Sequence, residues 1–172
     1  MAILPIITAP DPRLKLIAKP VDKVDDNLRK FLDDMLETMY DSEGIGLAAT
    51  QVGDLRRVLV LDVAQKEGGK EPMFFINPEI TWESPEENVY LEGCLSLPGQ
   101  FADVVRPKTV KVKFLDYNGK AQEIEADELL ATCIQHEIDH LNGVVFVDHI
   151  SSMKRDIIMR KLKKEKRLAQ TS

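Results

Sequence analysis

Between Leu28 and Met39 the apolar residues fall at Leu28, Phe31, Leu32, Met35, Leu36 and Met39, the three-and-four spacing of one helical face. Asp25 or Asp26 stands where an N-cap acceptor is needed, and this helix should end before Gly44. From about Arg57 to Glu125 the period shortens. Val58-Leu59-Val60-Leu61 and Met73-Phe74-Phe75-Ile76 predict buried strands, and Val110-Lys111-Val112-Lys113-Phe114 alternates like a strand with one wet face. Tyr117-Asn118-Gly119 predicts a hairpin turn, because Asn-Gly tolerates positive φ, and Gly68-Gly69 marks an exposed loop. Helical spacing returns near Asp127. There Leu129, Thr132, Cys133, His136 and His140 share one face, Leu130, Ile134, Ile138 and Leu141 share another, and Asn142-Gly143 closes the helix. After the short apolar stretch 144–147, a third helix starts at Ser151 or Ser152 and covers about 151–168. Pro5, Pro10, Pro12 and Pro20 keep residues 1–24 extended on the surface. The expected fold class is α+β: antiparallel strands packed around a central helix, with N- and C-terminal helices, in one domain over 1–172.

Composition narrows the function. The chain has 172 residues, 44% of them hydrophobic and 30% charged, enough for one ordinary core. A net charge of −6 argues against a DNA-binding protein. The N-terminal stretch lacks a basic region, Pro5 interrupts it and Asp11 follows soon, so no targeting segment is expected. No apolar run approaches the ~18 residues of a membrane span. The expectation is a cytoplasmic monomer without a membrane partner. Two cysteines cannot build a disulfide framework, which leaves metal binding or chemistry open to them.

The strongest chemical signal is His136-Glu137-Ile138-Asp139-His140. Histidines at i and i+4 lie one above the other on a helix, so both imidazoles can reach one metal ion. Glu137, on the neighbouring arc, can reach a water on that metal, take its proton and deliver it to a leaving amine. The same spacing can occur by chance on a surface helix, but the apolar residues around it make this helix look buried, and buried histidine pairs need a partner. A metzincin would place a third histidine where Phe146 stands, and the one downstream Glu, Glu165, is embedded in a lysine-rich tail. The third ligand should therefore come from upstream. Cys133 lies one turn before His136, but helical side chains lean toward the N-terminus, so a buried core role suits it better. Cys94, in Glu92-Gly93-Cys94-Leu95-Ser96, can complete a two-His site from a strand edge and leave a fourth position open, as in a catalytic rather than a structural metal site. The central helix is thus expected to bind the metal. Two imidazoles and a thiolate suit zinc, iron, nickel or cobalt alike.

Gly44-Ile45-Gly46-Leu47-Ala48-Ala49-Thr50-Gln51 lets a ligand or another backbone come close and ends on an amide that can donate to a substrate oxygen. Alone, the run means no more than tight packing. In order, the segments 44–51, 92–96 and 135–140 resemble the three motifs of the peptide deformylases, and the likeness extends from Pro10-Asp11-Pro12-Arg13-Leu14 to Leu141-Asn142-Gly143. The helical C-terminus resembles that of the bacterial class. This resemblance implies an amide hydrolase that removes the formyl group from N-formylmethionyl ends of nascent chains and releases formate. It implies Cys94, His136 and His140 as metal ligands and Glu137 as general acid/base. The Leu95 N–H and the Gln51 side chain, with the metal, would stabilise the oxyanion. It also implies ferrous iron as the working metal, with nickel, cobalt or zinc able to substitute. Gly44, Gly46 and Gly93 would offer backbone to an extended peptide docked like an added strand. Ile45, Leu129 and Cys133 would line the methionine pocket, with Thr132 facing it. The eight Lys or Arg from Lys154 to Arg167 are either a solvated face or a ribosome contact. Two rival readings are a small zinc peptidase of the same helical motif and a non-catalytic, metal-stabilised binding module.

Overall fold

The computed structural model describes residues 2–171. Two helices sandwich a five-stranded antiparallel sheet, and a two-stranded ribbon stands beside it. In chain order the elements are α1 (Asp26–Asp41), β1 (Gly46–Ala48), β2 (Val58–Leu61), β3 (Met73–Glu83), β4 (Glu87–Cys94), β5 (Leu97–Pro107), β6 (Thr109–Leu115), β7 (Ala121–Asp127), α2 (Glu128–Leu141) and α3 (Ser152–Thr171). The sheet runs β1-β2-β3-β6-β7, so β1 is an edge strand, and β4 pairs with β5 alone. The expected α+β fold is found.

The uninterrupted apolar run of β2 is explained by its two covered faces. Val58 and Val60 pack with Leu28, Leu32, Met35 and Met39 of α1, whereas Leu59 and Leu61 pack with Ala131, Ile134, Ile138 and Leu141 of α2. α1 begins where expected, with the Asp25 side chain accepting from the Leu28 N–H at 2.9 Å. Its buried Leu and Met side chains each stabilise the fold by about 1.5–3 kcal/mol through lost water contact. A third cluster joins Leu97 and Val104 of β5 to Phe146 and Val147 and to Ile158 and Leu162 of α3, which ties the ribbon to the C-terminal helix.

The hairpin expected at 117–119 joins β6 to β7, and two local details need correction. Residues 1–24 are not extended throughout, because Pro12–Lys15 forms a 3-10 turn capped by the Asp11 carboxylate. The 116–120 turn uses positive φ at Gly119 (82°) but not at Asn118. Its stabilising group is Asp116 Oδ1, which accepts from the N–H groups of Asn118 and Lys120. The stretch after Gly143 coils into a 3-10 turn, Phe146–His149. Among the described residues no helix is long and apolar enough to cross a membrane.

Candidate metal centre

On α2, His136 and His140 stand one turn apart, with ring centroids separated by 5.0 Å. Cys94 is the last residue of β4, delivered by a register shift at Gly93/Cys94 and the two-residue turn back into β5. Its Sγ lies 3.1 Å from His140 Nε2, and one ligand atom from each of Cys94, His136 and His140 falls within 4.8 Å of the others. The three expected ligands therefore converge. Cys133 does not join them. Its thiol contacts the Ile45 carbonyl at 3.7 Å, and burial, first among several causes, pushes its pKa well above the usual thiol value.

His136 is oriented from behind. Its Nδ1 lies 2.9 Å from Glu92 Oε1, which turns Nε2 toward Cys94 and His140. Glu92 is buried, and burial raises its pKa, but hydrogen bonds from His136 and Arg106 overcome this and bring it to about 2. Burial opposes a charge on His136, yet Glu137, Cys94 and Glu92 outweigh it and push that imidazole's pKa well up. At His140 burial, and then the neighbouring His136, push the pKa well down, so this ring stays neutral and able to ligate. A thiol and two imidazoles thus converge in a buried site that the carboxylates of Glu92 and Glu137 flank. A divalent cation fits that donor set.

Glu137 reaches the same space from the adjacent arc of α2. It is buried, its pKa is raised by burial to about 7, and its Oε1 has no partner among the described residues. A buried unpaired carboxylate oxygen calls for a donor, which a ligand or water in the site would supply. Its Oε2 lies where a Cβ on Gly46 would approach to 2.5 Å, so glycine is required at 46 to make room for this carboxylate. Gly93 is required for a similar reason, the ring of Phe101 across the ribbon. In front of Glu137 opens a cavity of about 480 Å³. Gly44, Ile45, Gly46, Gly93, Cys94, Leu95, Leu129, Thr132, Cys133, His136 and Glu137 all line it. Gln51 lies behind it and is buried; its amide donates to Ser96 Oγ at 3.0 Å and reaches Cys94 Sγ at 3.5 Å.

Comparison with known proteins decides the family. The sequence model described as polypeptide deformylase matches residues 3–156. The peptide deformylase of Brucella suis biovar 1 is 55% identical over 164 residues, covering 95% of this chain and 94% of its own. The crystal structure of the Ehrlichia chaffeensis peptide deformylase in complex with actinonin superposes with a TM-score of 0.92 at 48% identity, over 97% of this chain and 99% of that one. That of the Legionella pneumophila peptide deformylase gives 0.91 at 47% identity over 99% of both. The chain belongs to the polypeptide deformylase family. It is a metal-dependent hydrolase that removes N-formyl groups from nascent polypeptides.

Behind the candidate ligands lies a network that no local sequence pattern announces. Buried Arg106 donates from Nε to Glu92 Oε2 (2.6 Å) and from a terminal nitrogen to Glu92 Oε1 (3.0 Å). Its other terminal nitrogen donates to Asp139 Oδ2 (2.8 Å), which also lies 2.8 Å from His149 Nε2. The chain of contacts runs from the surface at His149 through Asp139, Arg106 and Glu92 to His136 of the candidate metal site. The one available signal was a lone arginine in the apolar run Val104-Val105-Arg106-Pro107, since a cation there must be paired.

Proposed function

We propose that Glu137 moves the proton in the deformylase reaction and that Cys94, His136 and His140 hold a divalent ion in the single catalytic domain 1–172. The observation that carries this reading is the buried Glu137 carboxylate. It has an unpaired oxygen, a pKa near neutrality and a position beside two histidines and a cysteine at the wall of a cavity. A divalent ion in that donor set supplies Lewis acidity, making a water more acidic and polarising a carbonyl. Glu137 accepts the proton of the attacking water as its oxygen bonds to the formyl carbon. The same carboxyl returns the proton to the nitrogen as the C–N bond breaks, releasing formate and a free amino terminus. A pKa near 7 suits a group that must act both as base and as acid.

The developing oxyanion meets two donors of the chain. The Leu95 N–H takes no partner among the described residues, and the Gln51 amide stands 3.5 Å from Cys94 Sγ. One such donor contributes about 3 kcal/mol to transition-state stabilisation. The substrate backbone adds along the free edge of β1 at Gly46 and the Gly44 segment that leads into it, faced by Gly93, while Ile45, Leu129 and Cys133 receive the methionine side chain and Thr132 borders it. The ion we assign is ferrous iron, with nickel, cobalt or zinc able to occupy the same ligands. The enzyme acts in the cytoplasm as a monomer, without DNA or membrane as a partner. Lys154, Arg160, Lys161, Lys163, Lys164 and Arg167 are exposed on α3, which supports a contact of this helix with ribosomal RNA. Purified protein is assayed for formate with formyl-Met-Ala-Ser and for cleavage of the unformylated tripeptide. Formate from the first alone is expected; cleavage of the second without formate from the first would replace this reading with a peptidase.

A further inference from the structure

The β4–β5 ribbon is apolar on the side that faces water. Alternation sends Glu92, Val104 and Arg106 inward, where they are buried. The opposite face carries Val89, Leu91, Phe101 and Val105, each between 53% and 68% exposed, and Val89 pairs directly with Val105. Scattered apolar side chains on a surface mean little, but four on one face, with Asp103 opposite Leu91 as the one charge among them, mark a contact site. This face borders a second cavity of about 460 Å³ between β5 and the start of α3, where Phe101, Val105, Ile157 and Ile158 are apolar lining residues and Asp103, His149, Ser151 and Lys154 are polar ones.

The two cavities meet at one side chain. Phe101 lines both the cavity in front of Glu137 and the second one, and Leu91 lies on the rim of the first. A formylated substrate is by its chemistry the end of a longer chain, so whatever follows the methionine must leave the catalytic cavity over its rim. We propose that the second cavity is an extended substrate site, in which apolar side chains several residues downstream of the formylmethionine pack against Val105, Ile157 and Phe101. This inference rests on the deformylase reading of the first cavity. An extended peptide advances about 3.3 Å per residue, so the fifth to eighth residues lie roughly 13–23 Å beyond the first, well outside the catalytic cavity. The apolar residues Phe101, Val105, Ile157 and Ile158 supply the contacts for such side chains, and the polar groups of Asp103, Ser151 and Lys154 can face the peptide backbone or water. No base-like pairing or metal is needed.

The test compares formyl-Met-Ala-Ser with formylated nonapeptides that share this start and carry either Leu or Ser at positions five to seven. In the native enzyme the Leu nonapeptide should show a KM about tenfold below that of the tripeptide, with kcat unchanged, and the Ser nonapeptide should behave like the tripeptide. Val105→Ser with Ile157→Ser, neither of which lines the catalytic cavity, should erase the advantage of the Leu nonapeptide and leave the tripeptide unaffected. Equal KM for both nonapeptides, or an advantage that survives the double substitution, would overturn the proposal. Sedimentation showing a dimer that the double substitution dissociates would also overturn it, by giving the face to a second copy. Failure of every peptide to yield formate would instead refute the reading of the first cavity.

Discussion

Gly46→Ala perturbs the site through a single methyl group. The new Cβ would come within 2.5 Å of Glu137 Oε2 and 3.0 Å of two further atoms of that side chain. The backbone of β1 cannot yield easily, because Gly46 and Leu47 are paired with Leu61 and Val60 of β2. The carboxylate must therefore retreat by about 0.9 Å, the gap between 2.5 Å and the 3.4 Å at which ordinary contact begins. A displacement of that size at a reacting group costs about 100-fold in rate, or about 2.7 kcal/mol of barrier. Formate release from formyl-Met-Ala-Ser should show this as a fall in kcat. Metal content and thermal midpoint should stay near their original values, since neither ligands nor core are touched. Gly69→Ala is the control: its Cβ meets nothing closer than 3.6 Å and touches no residue of the site, so kcat should not change. Unchanged kcat in Gly46→Ala, or lost metal in place of lost rate, would refute the assignment of Glu137 as a group acting on water.

Cys94→Ser should lose metal at concentrations that saturate the original protein, whereas Cys133→Ser should retain metal and most activity; exchanged phenotypes in metal analysis would reverse the ligand assignment. Glu92→Ala strands Arg106 with Asp139 as its one remaining acid, and a broken buried pair costs about 3–5 kcal/mol, to be read in urea unfolding. The same change should weaken metal affinity by about 10- to 100-fold in chelator competition, because His136 loses its orienting partner. An anaerobic iron preparation should lose activity in air or peroxide by oxidation of Cys94, while a nickel preparation persists; an air-stable zinc form of equal turnover would contradict the iron assignment.

The elements and the convergence of Cys94, His136 and His140 were legible because each has a local cause. The spacing of Leu28 to Met39 is a property of one helix, and His136 and His140 share a face by helical geometry alone. Cys94 could be reached by asking what else might complete the site. The ribbon was legible only in part. Val89 to Leu91 and Phe101 to Val105 alternate, but their apolar side faces water, the reverse of the usual pattern, so alternation did not reveal which face is buried. Arg106 and His149 were hidden for a different reason. Arg106 is 14 residues from Glu92 and 33 from Asp139, so their meeting depends on how the ribbon lies against α2, which no local pattern encodes. The glycines were legible as close approaches but not in their cause. At 46 and 93 the approaching groups include the protein's own Glu137 and Phe101.

The most direct measurement of the central claim takes Glu137→Ala and determines formate release and bound metal in the same sample. Removing a general acid/base should lower turnover by about 100- to 10,000-fold. The metal content should equal that of the original protein, since Glu137 stands beside the ligand set and not in it. Metal lost together with activity would make Glu137 a ligand, and full activity with metal retained would leave the proton transfer to another group; either result would contradict the account.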